Sequence, residues 1–208
     1  MLDQWQPSAC LIALRASADH QGYEVLLAKR AEGLSLAPGH HVFPGGALEP
    51  ADGDAQASDH STFKRAALRE FNEEVCHRSP LSVALDELQF LGEWRAPTFL
   101  KKRYLTRFYV AALEPKAIQC DGREIVSAQW YKPNQAVNLH AQGRLRLMFP
   151  TLAILDWLTM FSDLKAVQAK LGVRALKTVC PVLKAEAGRR YLTIGAASGY
   201  RIERWRVD

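Results

Sequence analysis

The chain has 208 residues, 48 % apolar and 24 % charged, with a formal net charge of +5. That size suits one domain with an extension, and the composition excludes collagenous, low-complexity and disordered classes. The basic residues are spread out, with short clusters at 101–103 and 189–190 and no polybasic tail, which suits an enzyme acting on an anionic substrate at least as well as a nucleic-acid binder.

The N-terminal segment MLDQWQPSACLIALRAS lacks a basic start and a long apolar run, so it does not read as a signal peptide. Residues 8–17 read as a buried strand and 22–30 as a second, joined by a polar hairpin-type connection. HVFPGGAL (41–48) reads as extended up to a break at Pro44-Gly45-Gly46. Residues 49–62 are polar and read as a loop, with Asp59, Ser61 and Thr62 as candidate N-caps for a helix over 63–77. Strands follow at 88–97, 103–115 and 124–133, the last stopped by Pro133. FPTLAILDWLTMF (149–161) reads as an apolar helix with Pro150 in its first turn. A second helix is expected over 163–172, ended by Gly172, and the tail returns to strand-like segments, including 189–196.

This order is not the regular alternation of a doubly wound fold. No segment reaches the ~18 apolar residues of a membrane span. Cys10, Cys76, Cys120 and Cys180 are far apart and form no CxxC pair, which reads as reduced, buried thiols in a cytoplasmic protein.

The stretch RAALREFNEEV (65–75) carries the chemistry. On a helix at ~100° per residue, with Glu70 at zero, Glu74 falls at about +40° and Glu73 at about −60°. Ala67, Leu68, Phe71 and Val75 form the adjoining apolar stripe, and Arg69 lies one turn before Glu73. A solvated, salt-bridged surface is the plain structural explanation of such a charge run. Three like charges on neighbouring turns repel, however, and a divalent cation with hard oxygen ligands, Mg²⁺ or Mn²⁺, relieves that repulsion. Gly45 and Gly46 upstream expose backbone where a side chain would block approach.

These residues resemble the Nudix box of the Nudix hydrolases, G-x5-E-x7-R-E-U-x-E-E-x-G-U. Gly46 stands at its start, Asp52 at its first acidic position, and Arg69, Glu70, Phe71, Glu73 and Glu74 at its core. The chain departs from the pattern in three places. Asp52 replaces Glu, sixteen residues instead of seven separate it from Arg69, and Cys76 and His77 replace the closing Gly and aliphatic residue. On the wheel His77 falls near −20°, close to the carboxylate face. Residues 26–46, through Leu26, Leu27, Arg30, Ala31, Gly39 and Phe43 to Gly46, are similar to the upstream pattern of coenzyme A diphosphatases, with Ala28 and Ser35 as departures. The lengthened box and residues 94–113 look more like the divergent branch that includes the peroxisomal acyl-coenzyme A diphosphatases of animals.

The resemblance implies an α/β/α sandwich around a mixed sheet, here a single domain with its core over about 8–160 and a helical C-terminal extension over about 161–208. It implies hydrolysis of a nucleoside diphosphate linked to another group, with Mg²⁺ or Mn²⁺ held by the Gly46 carbonyl, Glu70, Glu73 and Glu74. Coenzyme A or an acyl-coenzyme A is the foremost substrate; ADP-ribose or NADH, and a non-catalytic nucleotide-binding regulator, are the alternatives. Glu70, Glu73 and Glu124 are the candidate general bases, and Arg69 and Asp52 are orienting groups. Arg30, Gly45, Lys102 and Arg103 are candidate substrate contacts, Lys101 to Arg103 toward the 3′-phosphate of coenzyme A. His40 and His41 are candidate site-lining groups, and Trp94 and Trp130 either stack an adenine or belong to the core. No basic stripe interleaved with aromatics points to nucleic acid. A homodimer is left open, because the apolar helix 149–161 suits an interface or the core.

Overall fold

The computed structural model describes residues 5–54, 60–115, 117–173 and 175–207. β1 (Gln6–Ala16) is apolar along most of its length and buried on both faces, the signature of a central strand. One edge pairs in parallel with β6 (Tyr104–Ala112). The other edge is shared. Leu14 to Ala16 pair with β2 (Tyr23–Arg30), and Ser8 to Cys10 pair with the short β4 (Gly45–Ala47). β2 also pairs with β3 (His41–Val42) and β7 (Ile125–Tyr131), and β6 with β5 (Gln89–Arg95). All pairs but β1–β6 are antiparallel, so the sheet is mixed.

This topology gathers several segments at one end of the sheet. β2 runs against β1, so Arg30 lies near the start of β1; β7 begins opposite Arg30; and β6 runs with β1, so the β5–β6 loop lies there too. Gly45 and Gly46 sit in the opening where β1 and β2 part.

α1 (His60–Val75) covers one face of the sheet. Its Phe63, Ala66, Ala67, Phe71 and Val75 follow helical spacing and pack with Ala9, Leu11, Ala13, Leu26 and Ala28. α2 (Pro133–Ala141), α3 (Phe149–Leu158) and α4 (Leu164–Val173) cover the other. The result is an α/β/α sandwich. Proline stands in the first turn of α2 and α3, where a missing N–H costs nothing. α3 buries eight of its ten residues within this chain, so its apolar character belongs to the core.

Several boundaries differ from those read in the sequence. α1 starts at His60, which places Ser61 and Thr62 inside it as helical residues and not as caps; Asp59 lies outside the described residues. α1 ends at Val75 because Cys76 bridges to Gln119, so His77 leaves the helix exposed and never joins the carboxylate face. The break at 44–46 is confined to Pro44, since both glycines pair with β1. Pro133 opens α2 as well as ending β7, and Gly172 lies within α4. The polar stretch after Gly46 contains a 3-10 turn at Pro50–Asp52.

The C-terminal extension opens with α4 and continues as a second antiparallel sheet of β8 (Val182–Glu186), β9 (Arg189–Thr193) and β10 (Arg204–Val207). Before that sheet, the chain lines the outer edge of β5: Leu176 N–H donates to Leu91 O at 2.7 Å, and Val179 exchanges bonds of 2.8 and 2.7 Å with Glu93 and Arg95. This shields an edge that would otherwise invite strand addition. Trp94 is core, donating to the Tyr200 hydroxyl at 2.9 Å and packing edge-on to Phe149, on which Trp205 stacks. All four cysteines are free thiols; Cys76 is buried as expected, whereas Cys180 is exposed. No helix among the described residues is long and apolar enough to cross a membrane.

Candidate functional site

The helix phase read from the sequence fixes the depth of each carboxylate. Glu73 is 57 % exposed, Glu70 is 16 % exposed, and Glu74, beside the apolar stripe, is almost fully buried. Glu74 Oε2 accepts the Gly45 N–H at 2.9 Å. Burial pushes the Glu74 carboxyl up to about 8; Glu70 and Glu124 push the same way, while the Gly45 bond and Arg30 oppose them. Glu70 is also raised, first by burial and then by Glu73 and Glu124, with Arg69 opposing.

Arg69 organises the rest. Its Nε and Nη2 donate to the two Asp52 oxygens at 3.1 and 3.0 Å. Nη1 reaches Glu70 at 3.0 Å and Glu73 at 3.1 Å, and Nη2 also reaches Ala47 O at 3.0 Å. One guanidinium thus ties α1 to β4 and to the 3-10 turn. Asp52, 3 % exposed, further accepts the Glu49 N–H at 2.9 Å and, through its carbonyl, Arg65 Nε at 2.6 Å. The sixteen residues between Asp52 and Arg69 therefore do not keep the two side chains apart.

Gly46 lies directly beneath Glu70. A Cβ there would come within 2.6 Å of the Glu70 carboxyl carbon. Arg30 and Glu124 complete the group: Arg30 Nη2 lies 3.9 Å from Glu124 Oε2, and Arg30 Nε donates to Leu36 O at 3.1 Å. Cys10, opposite Gly45 on β1, was singled out by no signal in the sequence beyond its apolar surroundings. Its thiol is held far above the ordinary range, chiefly by burial and then by Glu74 and Glu70.

Other candidates stand apart. Lys102 lies over the Tyr104 ring at 5.4 Å, while Arg103 faces Trp5 at 5.6 Å and donates to Thr98 O at 3.3 Å. Arg103 lies beside Gln6, four residues along β1 from Cys10, or about 13 Å at strand rise. His40 bonds Pro38 O and His41 meets Tyr131 edge-on; among the described residues neither is hydrogen-bonded or ion-paired to the carboxylates. Trp130 carries the Arg15 guanidinium 4.4 Å above its ring and offers no free stacking face on that side. Clefts of about 410 Å³ between β8, β9 and β10 and about 310 Å³ along α2 include none of these residues.

Among the described residues no trio of His, Cys, Asp or Glu stands ready as a closed metal shell. Arg69 accounts for part of that, because it holds Glu70 and Glu73 to itself. The donor set nevertheless suits a hard divalent cation: carboxylate oxygens with raised pKa values, packed on a glycine whose missing Cβ leaves room.

The model of the NUDIX domain matches residues 5–152. Among solved structures, a NUDIX hydrolase from Alicyclobacillus acidocaldarius superposes with a TM-score of 0.70 at 22 % identity, covering 79 % of this chain and 96 % of that one. The NUDIX domain of Shewanella oneidensis NrtR, complexed with ADP ribose, gives 0.52 at 17 % identity over 80 % and 88 %, and a MutT protein from Bacillus halodurans 0.51 at 15 % over 84 % and 89 %. No curated protein matches the chain. With the domain match covering most of the chain and the box residues gathered around Arg69, the chain belongs to the Nudix family and is a Nudix pyrophosphohydrolase, an enzyme that cleaves the diphosphate bond of nucleoside diphosphate derivatives.

Proposed function

We propose that the substrate is coenzyme A or an acyl-coenzyme A, cleaved to 3′,5′-ADP and the (acyl-)phosphopantetheine half. The observation that carries this reading is the β5–β6 loop at the site's end of the sheet. It presents Lys101, Lys102 and Arg103 beside Phe99 and Leu100, which are 53 % and 42 % exposed. A third phosphate suits the cations, and an apolar tail suits the loop tip. Its distance of about 13 Å from Cys10 along β1 fits a long substrate whose diphosphate lies at Gly45 and Gly46.

Nudix enzymes use divalent metals; in our reading Mg²⁺ or Mn²⁺ is held by Glu70, Glu73, Glu74 and the Gly46 carbonyl. A cation bound there neutralises the diphosphate and makes water more acidic. Arg30 contacts a phosphate oxygen, Arg69 and Asp52 hold the helix carboxylates in line, and Gly45 allows close approach. One of Glu70, Glu73 and Glu124 takes the proton as the water oxygen bonds to one phosphorus and the bridging oxygen leaves with the other. We take the 208 residues as one cytoplasmic domain, the extension docked on the core through Trp94 and Tyr200.

A second reading, ADP-ribose as substrate, is favoured by the ADP ribose complex of the NrtR domain of like fold. Product analysis separates the two. With Mg²⁺ or Mn²⁺, release of 3′,5′-ADP from coenzyme A or acetyl-coenzyme A supports the first reading, and AMP from ADP-ribose or NADH alone replaces it. Glu73→Gln, at an exposed position, should lower turnover by orders of magnitude and leave the melting temperature nearly unchanged; wild-type turnover would remove Glu73 from the site.

A further inference from the structure

The last carbonyls of a helix need partners from outside it. At the end of α1 they come from one segment. Asp121 N–H donates to Glu74 O at 3.2 Å, and Gln119 N–H donates to Val75 O at 2.9 Å. The Asp121 side chain then turns the other way. Its Oδ2 accepts the Glu124 N–H at 3.0 Å and its Oδ1 the Ile125 N–H at 2.9 Å. Gly122, at a φ of +71° that glycine adopts freely, donates to Ile125 O at 3.1 Å and closes the turn. On its far side Glu124 O accepts the Ala31 N–H at 2.8 Å.

Asp121 therefore joins two site carboxylates by short covalent and hydrogen-bonded paths, with its main chain on Glu74 and its side chain on Glu124. The Glu124 side chain is 60 % exposed and, among the described residues, has a single ion-pair neighbour, Arg30, at 3.9 Å. Few contacts fix its rotamer, so its reach is set by where its backbone stands. We propose that Asp121 is a positioning residue, holding the Glu124 backbone in fixed relation to Glu74 so that Glu124 meets the diphosphate site. The inference rests on the reading of Glu124 as a site carboxylate.

The test combines Asp121→Ala, Asp121→Asn, Glu124→Gln and the double variant Asp121→Ala/Glu124→Gln, assayed with Mg²⁺ on whichever of coenzyme A, acetyl-coenzyme A, ADP-ribose and NADH the wild type turns over best. Asp121→Ala should lower kcat about 10- to 100-fold, the scale of an orienting partner, with KM moving less than about threefold. Asparagine keeps one acceptor oxygen and should recover part of the loss. Added to Glu124→Gln, Asp121→Ala should cost less than about twofold more, because residues acting as a unit are not additive.

A second readout needs no metal. Amide hydrogen exchange at Glu124 and Ile125 should quicken at least about tenfold in Asp121→Ala, while Ala67 to Phe71 within α1 keep their protection. If α1 loses protection as well, or the two amides are unchanged, the positioning role is overturned. If Glu124→Gln is impaired and Asp121→Ala adds its full effect on top, only the positioning role falls. If Glu124→Gln turns over like the wild type, the reading of Glu124 falls and the positioning role falls with it.

Discussion

Gly45 and Gly46 are adjacent, yet alanine at each should fail in a different way. At Gly45 the new Cβ would lie 2.6 Å from the Cys10 Cα and against the Ala9 carbonyl. These are backbone atoms of the central strand, held by β6 on their other side, so relief requires β4 to separate from β1. Overpacking of this kind costs about 1–3 kcal/mol, and here the rigid neighbours put it at the upper end, about 3 kcal/mol. For a chain of this length that lowers the melting temperature by roughly 6–12 °C. At Gly46 the obstruction is the Glu70 carboxyl group, the far end of a flexible side chain. Glu70 can swing away, so Gly46→Ala should cost within about 1 kcal/mol. The swing takes a carboxylate out of the site, and kcat should fall at least about 100-fold, the scale of losing one preorganised charge-stabilising group. Thermal melts and steady-state kinetics on both variants check this. Wild-type turnover in Gly46→Ala, or equal destabilisation by the two changes, would refute the reasoning.

Two further outcomes follow from the buried charges. Because the Glu74 pKa in the folded chain is raised to about 8, above its ordinary 4.5, the folded chain keeps a proton that the unfolded chain releases. That contribution to stability is complete below about pH 4.5 and is lost as the pH climbs toward 8, on the order of a few kcal/mol in all. The metal-free melting temperature should fall across this window, and Glu74→Gln should flatten the slope; identical slopes would exclude Glu74 as their source. Arg69→Ala leaves Asp52 buried without its cation and should cost about 3–5 kcal/mol by denaturant unfolding. Adding Asp52→Asn should then recover part of the loss, and a double variant as unstable as the sum of the single changes would show that the pair is not coupled.

The box helix was legible because its information is local. Residue type and a period of 3.6 were enough to place Phe71 and Val75 on an apolar stripe with the glutamates beside it; the structure buries the stripe and adds that Glu74, the glutamate nearest to it, is buried as well. The Arg69 pairing with Glu73 was legible for the same reason. What was missed depends on strand pairing between distant segments. Cys10 meets Gly45 through the register of β1 on β4, and Trp94 meets Tyr200 across 106 residues. Asp121 was not singled out in the sequence, because its bonds depend on the end of α1 lying beside it. His41, read as a candidate site-lining group from its place before the glycines, turns its ring edge-on to Tyr131. Lys102 and Arg103 show the limit of a motif. Their cationic character is plain in the sequence, but their distance from the carboxylates is set by the register of β6 on β1.

The arrangement of charge on α1 also separates folding from function. Arg69 faces Glu49, Asp52, Glu70 and Glu73, one cation among four acidic groups, and its bonds to Asp52 and Ala47 secure the loop and β4 as much as the helix. Glu74 lies outside that set of contacts; its bond is to Gly45, and the raised carboxyl pKa shows that neither this bond nor Arg30 offsets its burial. If the glutamates served only to solvate the helix, the most buried of them would be the first replaced by an apolar residue, since Val75 beside it is fully buried at no such cost. A carboxylate kept at that depth, next to a second raised one that lies over Gly46, is better matched to a bound cation than to the folded chain alone. Divalent metal should therefore raise the melting temperature of the wild type more at pH 8 than at pH 6, where protons compete for the same oxygens.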